Sequence, residues 1–236
     1  LLLSEPVSNT INISENIDFD LSLNFPTLPG YAVIDLGRTI HGRAELEITG
    51  SSGTVVDLGW DERLYLDTNR PLPFPGSLHP QWNQVDSWIV DGTPRKVSTI
   101  DTRSGRYLLL AVWDEDPVDV ILRVYEERYP VEQRGYFDSS NDLLDRIWQV
   151  GVETAYPNMT DAYADPWRER GQWWGDAFIV DRVNRVAFGD FTLLRRGLIF
   201  MADAFDNGRP EAMAPNGAGV YMLDYAMLWL HDLQEY

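Results

Sequence analysis

The sequence predicts a mixed fold, an antiparallel β-sandwich followed by antiparallel α-helices, and three observations predict it. Residues 17–23 and 44–48 alternate apolar and polar side chains with period two, as half-buried strands do. From Leu143 onward the apolar period becomes helical, with Leu143, Leu144, Ile147, Trp148, Gly151, Val152 and Ala155 on one side. Between the two regimes Pro130 and Gly135 interrupt both patterns, which places a boundary near Tyr129–Phe137 and divides the chain into 1–130 and 131–236.

In the first part, further β-rich runs lie at Tyr31–Leu36, Thr54–Leu58, Trp88–Val90 and Arg106–Val112, and Val118–Val124 alternates more loosely. Turn signals separate them at Pro29-Gly30, Ser51-Ser52-Gly53, Asp91-Gly92 and Ser104-Gly105. Many short strands with this punctuation suggest a sandwich, with the Pro-rich stretch Arg70–Pro80 as a surface loop. In the second part, Ser139-Ser140 offer caps for a first helix. Later helical segments cover Ala177–Phe188, about Phe191 to Phe205, and about Val220 onward, where Met222, Tyr225, Ala226, Trp229, Leu230 and Leu233 share a side. That last pattern is still running at Tyr236, without a capping glycine. Four helices expose apolar faces unless something covers them, so the expectation is the start of a larger α-domain, completed by further chain or by self-association.

Composition narrows the function classes. The 236 residues hold 37 acids against 19 Lys+Arg, a formal charge of −18, and Lys96 is the only lysine. Nucleic acid and anionic membrane both demand clustered cations, so neither is expected as a partner. No run approaches the roughly 18 apolar residues of a membrane helix. The absence of cysteine excludes a thiol nucleophile, a disulfide framework and Cys-ligated metal. His41, His79 and His231 lie in no nucleophile motif, and no glycine loop suits a phosphate.

Chemistry concentrates in Asp161–Asp176, which sits between two predicted helices. It carries Asp161, Asp165, Glu169 and Asp176, the cations Arg168 and Arg170, and the indoles of Trp167, Trp173 and Trp174. Sugar C–H faces stack on indole, carboxylates bind hydroxyls, and a carboxylic acid protonates a glycosidic oxygen. Glu169 is the best candidate for that acid, although Arg168 and Arg170 beside it would lower its pKa and burial or a second carboxylate must outweigh them. The competing reading makes Trp173 and Trp174 core residues at a helix start, Asp176 an N-cap and Arg168–Glu169 a surface pair. Calcium binding by Asp161, Asp165 and Glu169 is a third reading, but the alternating pattern of a calcium loop is missing.

The run Asp165-Pro-Trp-Arg-Glu-Arg-Gly-Gln-Trp-Trp-Gly-Asp176 resembles the signature of the bacterial α-L-rhamnosidase family of glycoside hydrolases, roughly Asp-Cys-Pro-x-Arg-Glu-x-x-x-Trp-x-Gly-Asp. Phe137–Trp148 is similar to the family's entry into its helical barrel. Tyr31–Gly42 and Arg103–Leu108 are similar to strands of the preceding sandwich. The resemblance implies a β-sandwich followed by the first helices of an (α/α)6 barrel. It makes Glu169 the general acid and puts Arg168, Trp173 and Asp176 in the rhamnose pocket, with Asp165 or Ala164 at the family's first aspartate. With Trp174 as a second candidate for the apolar wall, the expected substrate is a rhamnose-containing oligosaccharide or glycoside, and no cofactor or metal is implied. The family inverts, using a second glutamate that would lie beyond Tyr236, so the residues given are expected to be a portion of a longer enzyme. The rival from another class is a non-catalytic carbohydrate-binding or assembly module using Trp60, Trp82, Trp88 or Trp113 of the sandwich.

Overall fold

The computed structural model describes residues 10–12, 19–25, 29–64, 84–113, 116–168, 170–205, 207–215 and 219–236. The chain forms two compact units, Leu1–Glu127 with Trp167–Glu169, and Arg128–Pro166 with Arg170–Tyr236. The predicted loop at Arg70–Pro80 lies outside the described residues.

The first unit is one curled sheet. Its strands are β1 (Thr10–Asn12), β2 (Phe19–Phe25), β3 (Gly30–Thr49), β4 (Ser52–Asp61), β5 (Val85–Asp91), β6 (Arg95–Ser98), β7 (Arg103–Trp113) and β8 (Val118–Glu126). They run in the order β2-β8-β3-β7-β4-β5, with β1 and β6 also paired to β3; every pairing is antiparallel except that of β1. The sequence reads β3 as two runs, whereas the structure joins them into a single strand of 20 residues. Its first half pairs with β7 and its second half with β8, after an irregularity between Asp35 and Ile40. Gly37 takes φ 80° there, and its N–H donates to Asp35 Oδ1 at 2.8 Å. Such a break bends a strand and lets it serve two layers. Gly42 marks the handover, because a Cβ on it would lie 2.1 Å from the Tyr125 carbonyl oxygen.

Period-two patterning then supplies the core. Val118, Val120, Leu122 and Val124 of β8 point inward with Ile34, Leu46, Ile48, Leu58, Trp60, Leu108 and Leu110, each fully buried side chain of this size stabilising by about 1.5–3 kcal/mol. Ser104-Gly105 is not a turn but part of β7. The glycine is there because a Cβ would sit 2.8 Å from the Asp61 backbone, a close approach that reads as a turn signal in sequence alone.

The second unit holds α1 (Asp142–Ala155), α2 (Trp174–Ala187), α3 (Thr192–Asp203) and α4 (Leu223–Glu235), with one 3-10 turn at Tyr156–Asn158. The first helix is capped by Asn141, whose side chain accepts from the Leu143 N–H at 3.0 Å, rather than by Ser139 or Ser140. The second begins three residues earlier than its apolar period suggests, with Asp176 inside its first turn and Trp173 at the cap position. It ends where the N–H groups of Phe188 and Gly189 both reach the Asn184 carbonyl, Gly189 having φ 67°. Val152, Met159, Trp174, Phe188, Leu194, Met201 and Trp229 form the core. Among the described residues no helix is long and apolar enough to cross a membrane.

Candidate functional site

The segment from Met159 to Trp173 joins α1 and α2, and its conformation is set by a few backbone bonds. Met159 and Tyr163 form an isolated bridge, and the Ala164 N–H donates to the Asn158 carbonyl at 3.1 Å. Arg196 of α3 ties the two ends of the loop, donating to Asp161 Oδ2 at 3.2 Å and to Gln172 Oε1 at 3.3 Å. The Trp174 N–H donates to the Ala212 carbonyl at 2.9 Å, and Trp173 bridges Met213. The chain after α3 therefore braces the start of α2.

Asp165 is half-buried in this helical unit. Trp167 and Arg168 belong to the sheet unit: the Trp167 indole donates to the Trp60 carbonyl at 3.4 Å, its own carbonyl accepts from Gln84, and the Arg168 side chain is exposed. Glu169 lies outside the described residues. Trp173 is half-buried, its indole over Gly171, where a Cβ would fall 2.6 Å from Nε1. Trp174 is turned into the helical core and is 3% exposed, with its six-membered ring against Gly197. The two neighbouring tryptophans thus have different fates, one facing outward and one structural.

Asp176, in the first turn of α2, is favoured there by the positive end of the helix dipole. It lines a groove of ≈ 640 Å³ together with Thr154, Asn158, Gly175, Ile179 and Tyr225. Its lining combines the polar Asp176, Asn158, Thr154 and Tyr225 with the apolar Ile179, Val180, Val183 and Leu228. Within the helical unit the structure therefore brings Trp173 and Asp176 to one end of α2. Tyr225, read in sequence only as one side of a helix, joins them, and no motif signalled it.

A second polar cluster, also without a sequence signal, lies between α2 and α4. Asp181 and Asp232 are both 0% exposed. Asp181 accepts from Arg185 and from the Tyr163 hydroxyl, while Asp232 and Glu235 hold the Arg182 guanidinium. Burial, reinforced by the Asp181 charge, pushes Asp232 up to about 6 although Arg182 opposes it. Burial and the same Asp181 charge push the Tyr163 hydroxyl upward. His231 Nδ1 lies 3.7 Å from Glu235 Oε2, and one ligand atom each of His231, Asp232 and Glu235 lie within 4.8 Å of one another. Because Arg182 already occupies the two carboxylates, this trio is an ion-pair node that braces the helices.

Residues 26–124 match the bacterial α-L-rhamnosidase concanavalin-like domain, and residues 132–231 match the bacterial α-L-rhamnosidase 6 hairpin glycosidase domain. No curated protein matches the chain. Among solved structures, a GH78 family rhamnosidase of Bacillus sp. GL1 superposes with a TM-score of 0.75 at 24% identity, over 86% of this chain and 21% of that one. A rhamnosidase from Klebsiella oxytoca with rhamnose bound gives 0.68 at 20% identity, over 89% of this chain and 44% of that one. The Streptomyces avermitilis α-L-rhamnosidase complexed with L-rhamnose gives 0.63 at 19%, over 82% and 19%. The chain thus spans less than half the length of each of these structural relatives. Carrying both domains in the same order, it belongs to the bacterial α-L-rhamnosidase family.

Proposed function

We propose that the chain is part of a glycoside hydrolase that removes terminal α-L-rhamnosyl groups with inversion. The observation that carries this reading is the start of α2, inside the domain that matches the glycosidase, where Asp176 lines a groove and Trp173 stands at the cap position three residues before it. Two of the similar structures hold rhamnose. In the proposed reaction Glu169 gives its proton to the glycosidic oxygen as the bond to the anomeric carbon breaks. A water forms the new carbon–oxygen bond from the opposite face and loses its proton to a second carboxylate. Inverting geometry sets those carboxylates about 6.5–9.5 Å apart, and we place the second one in chain outside Leu1–Tyr236. Asp165, Arg168 and Asp176 hold sugar hydroxyls, and Trp173 forms the apolar wall. Trp174, 3% exposed, supports the wall from the core rather than forming it.

For the binding-module alternative, Trp60 offers no exposed face for a sugar. Trp60 is 0% exposed, Trp88 packs on the sheet core, Trp82 lies outside the described residues, and the Trp113 indole is tied to Asp57 at 2.7 Å.

Glu169→Gln in the full-length enzyme tests the acid. An alkyl rhamnoside, whose leaving oxygen needs the proton, should lose about 10³-fold in kcat. A p-nitrophenyl rhamnoside should lose far less, and L-rhamnose binding should survive. Equal, unchanged kcat on both substrates would remove Glu169 from the mechanism.

A further inference from the structure

Tyr225 stands on α4, about fifty residues after the signature loop, yet its ring sits on that loop. A Cβ on Gly175 would lie 2.4 Å from Cε1 and Cζ of Tyr225 and 2.8 Å from its hydroxyl oxygen. Only a glycine lets the ring rest on the first turn of α2. The same ring meets the Trp173 indole edge-on, with centroids 6.1 Å apart and planes at 83°. The indole also lies over Gly171, where a Cβ would come within 2.6 Å of Nε1. Both glycines of the loop thus make room for aromatic rings, and Tyr225 and Asp176 line the same groove.

We propose that Tyr225 is a positioning residue, whose ring, seated on Gly175, holds the Trp173 indole as the sugar-facing wall beside Asp176. The proposal rests on the rhamnoside reading of the groove. A half-buried indole has two free side-chain torsions, and stacking a sugar on it requires both to be fixed. Edge-to-face contact with a ring anchored on another helix fixes them before the sugar arrives, which removes an ordering term from binding. The contacts with Gly175 and Trp173 are made by the ring, so the positioning role is assigned to the ring.

The test is titration of the full-length enzyme with L-rhamnose, alongside the near-UV circular dichroism band assigned to Trp173 by its loss in Trp173→Phe. Tyr225→Ala should weaken rhamnose binding by about fivefold or more and flatten the band. Gly175→Ala, which drives a methyl group into the ring, should do the same by a different route. Tyr225→Phe should retain both the band and the affinity within about twofold. Thermal unfolding midpoints identify any variant that has lost its fold, and the remaining variants decide. Tyr225→Ala binding like the parent, or Tyr225→Phe losing as much as Tyr225→Ala, would overturn the positioning role. A parent that shows no affinity for rhamnose would overturn the rhamnoside reading instead, while the dichroism band alone still reports whether the ring orders Trp173.

Discussion

At the centre of the sheet unit, Ile34, Leu46, Leu58, Leu108 and Leu122 stack with no exposure at all, and ion pairs such as Arg38–Glu126 and Arg123–Glu47 stay on its rim. The helical unit reverses the arrangement. Asp181 and Asp232 are buried between α2 and α4, while Leu143, Ile147, Ile179, Leu223, Met227 and Leu230 face solvent. The sheet does bury Asp61, but its carboxylate accepts the Arg63 N–H at 3.3 Å on the edge of a complete ladder. A ladder satisfies its own backbone, so the sheet rests on apolar packing and is sensitive to shape. Helices must find lateral partners, and here part of that pairing is electrostatic and sensitive to protonation.

The largest expected effect strikes the sheet through shape. In Gly42→Ala the new methyl group would sit 2.1 Å from the Tyr125 carbonyl, at the point where β3 passes from β7 to β8. Neither partner is a flexible side chain, so the strand or its ladder must move, at about 3 kcal/mol or more. Hydrogen exchange of the whole chain should show β3 and β8 unprotected while α2 and α4 keep their rates. Unaltered protection in β8 would mean that the sheet yields to shape more readily than its packing implies.

The next effect separates the units by the sign of their pH response. Asp232 has a folded pKa of about 6 against an ordinary 3.8. Its contribution is therefore complete below about pH 4 and is lost as pH rises through 6. That loss is on the order of 3 kcal/mol, since each pH unit between the two values corresponds to about 1.4 kcal/mol. Glu235 acts oppositely, because the Arg182 hydrogen bond holds it low and its contribution fades on acidification. On the sheet, Glu45 is likewise held low by Lys96. Between pH 5 and 7, amides of α2 and α4 should lose protection, after correction for intrinsic rates, while those of β3 do not. Asp232→Asn should flatten the helical slope. A slope that persists in that variant would remove Asp232 as its cause.

What the sequence disclosed follows from the same contrast. Strand alternation is local and survives in β8, where every second residue from Val118 is buried. The segment Asp161–Asp176 stood out because four acids, two arginines and three tryptophans fall within sixteen residues. Three things were not legible, and each depends on a distant partner. Gly105 looked like a turn because its neighbour across the sheet, Asp61, is invisible in a linear reading. Trp173 and Trp174 are adjacent and identical, and the segment Ala212–Ala214 that pairs with them, with Trp174 alone entering the core, lies about forty residues away. Tyr225 joins the site from another helix, and its only trace is the glycine it requires at 175.

The smallest effect concerns α1, which buries only Val152 and Ala155 and leaves Leu143, Leu144 and Ile147 in solvent. Little tertiary contact holds its first turn, so local capping should decide whether that turn frays. Asn141 supplies the cap through its 3.0 Å bond from the Leu143 N–H, and Ser139 Oγ accepts from the Asn141 N–H at 3.1 Å, one step removed. Asn141→Ala should cost about 1 kcal/mol and accelerate exchange only in the amides of Asp142–Arg146. Ser139→Ala should cost less, because it loosens the cap residue without exposing the helix donors. The reverse order would return the cap to the serine that the sequence pattern favours. It would also show that α1 is anchored by the segment before it rather than by its own first turn.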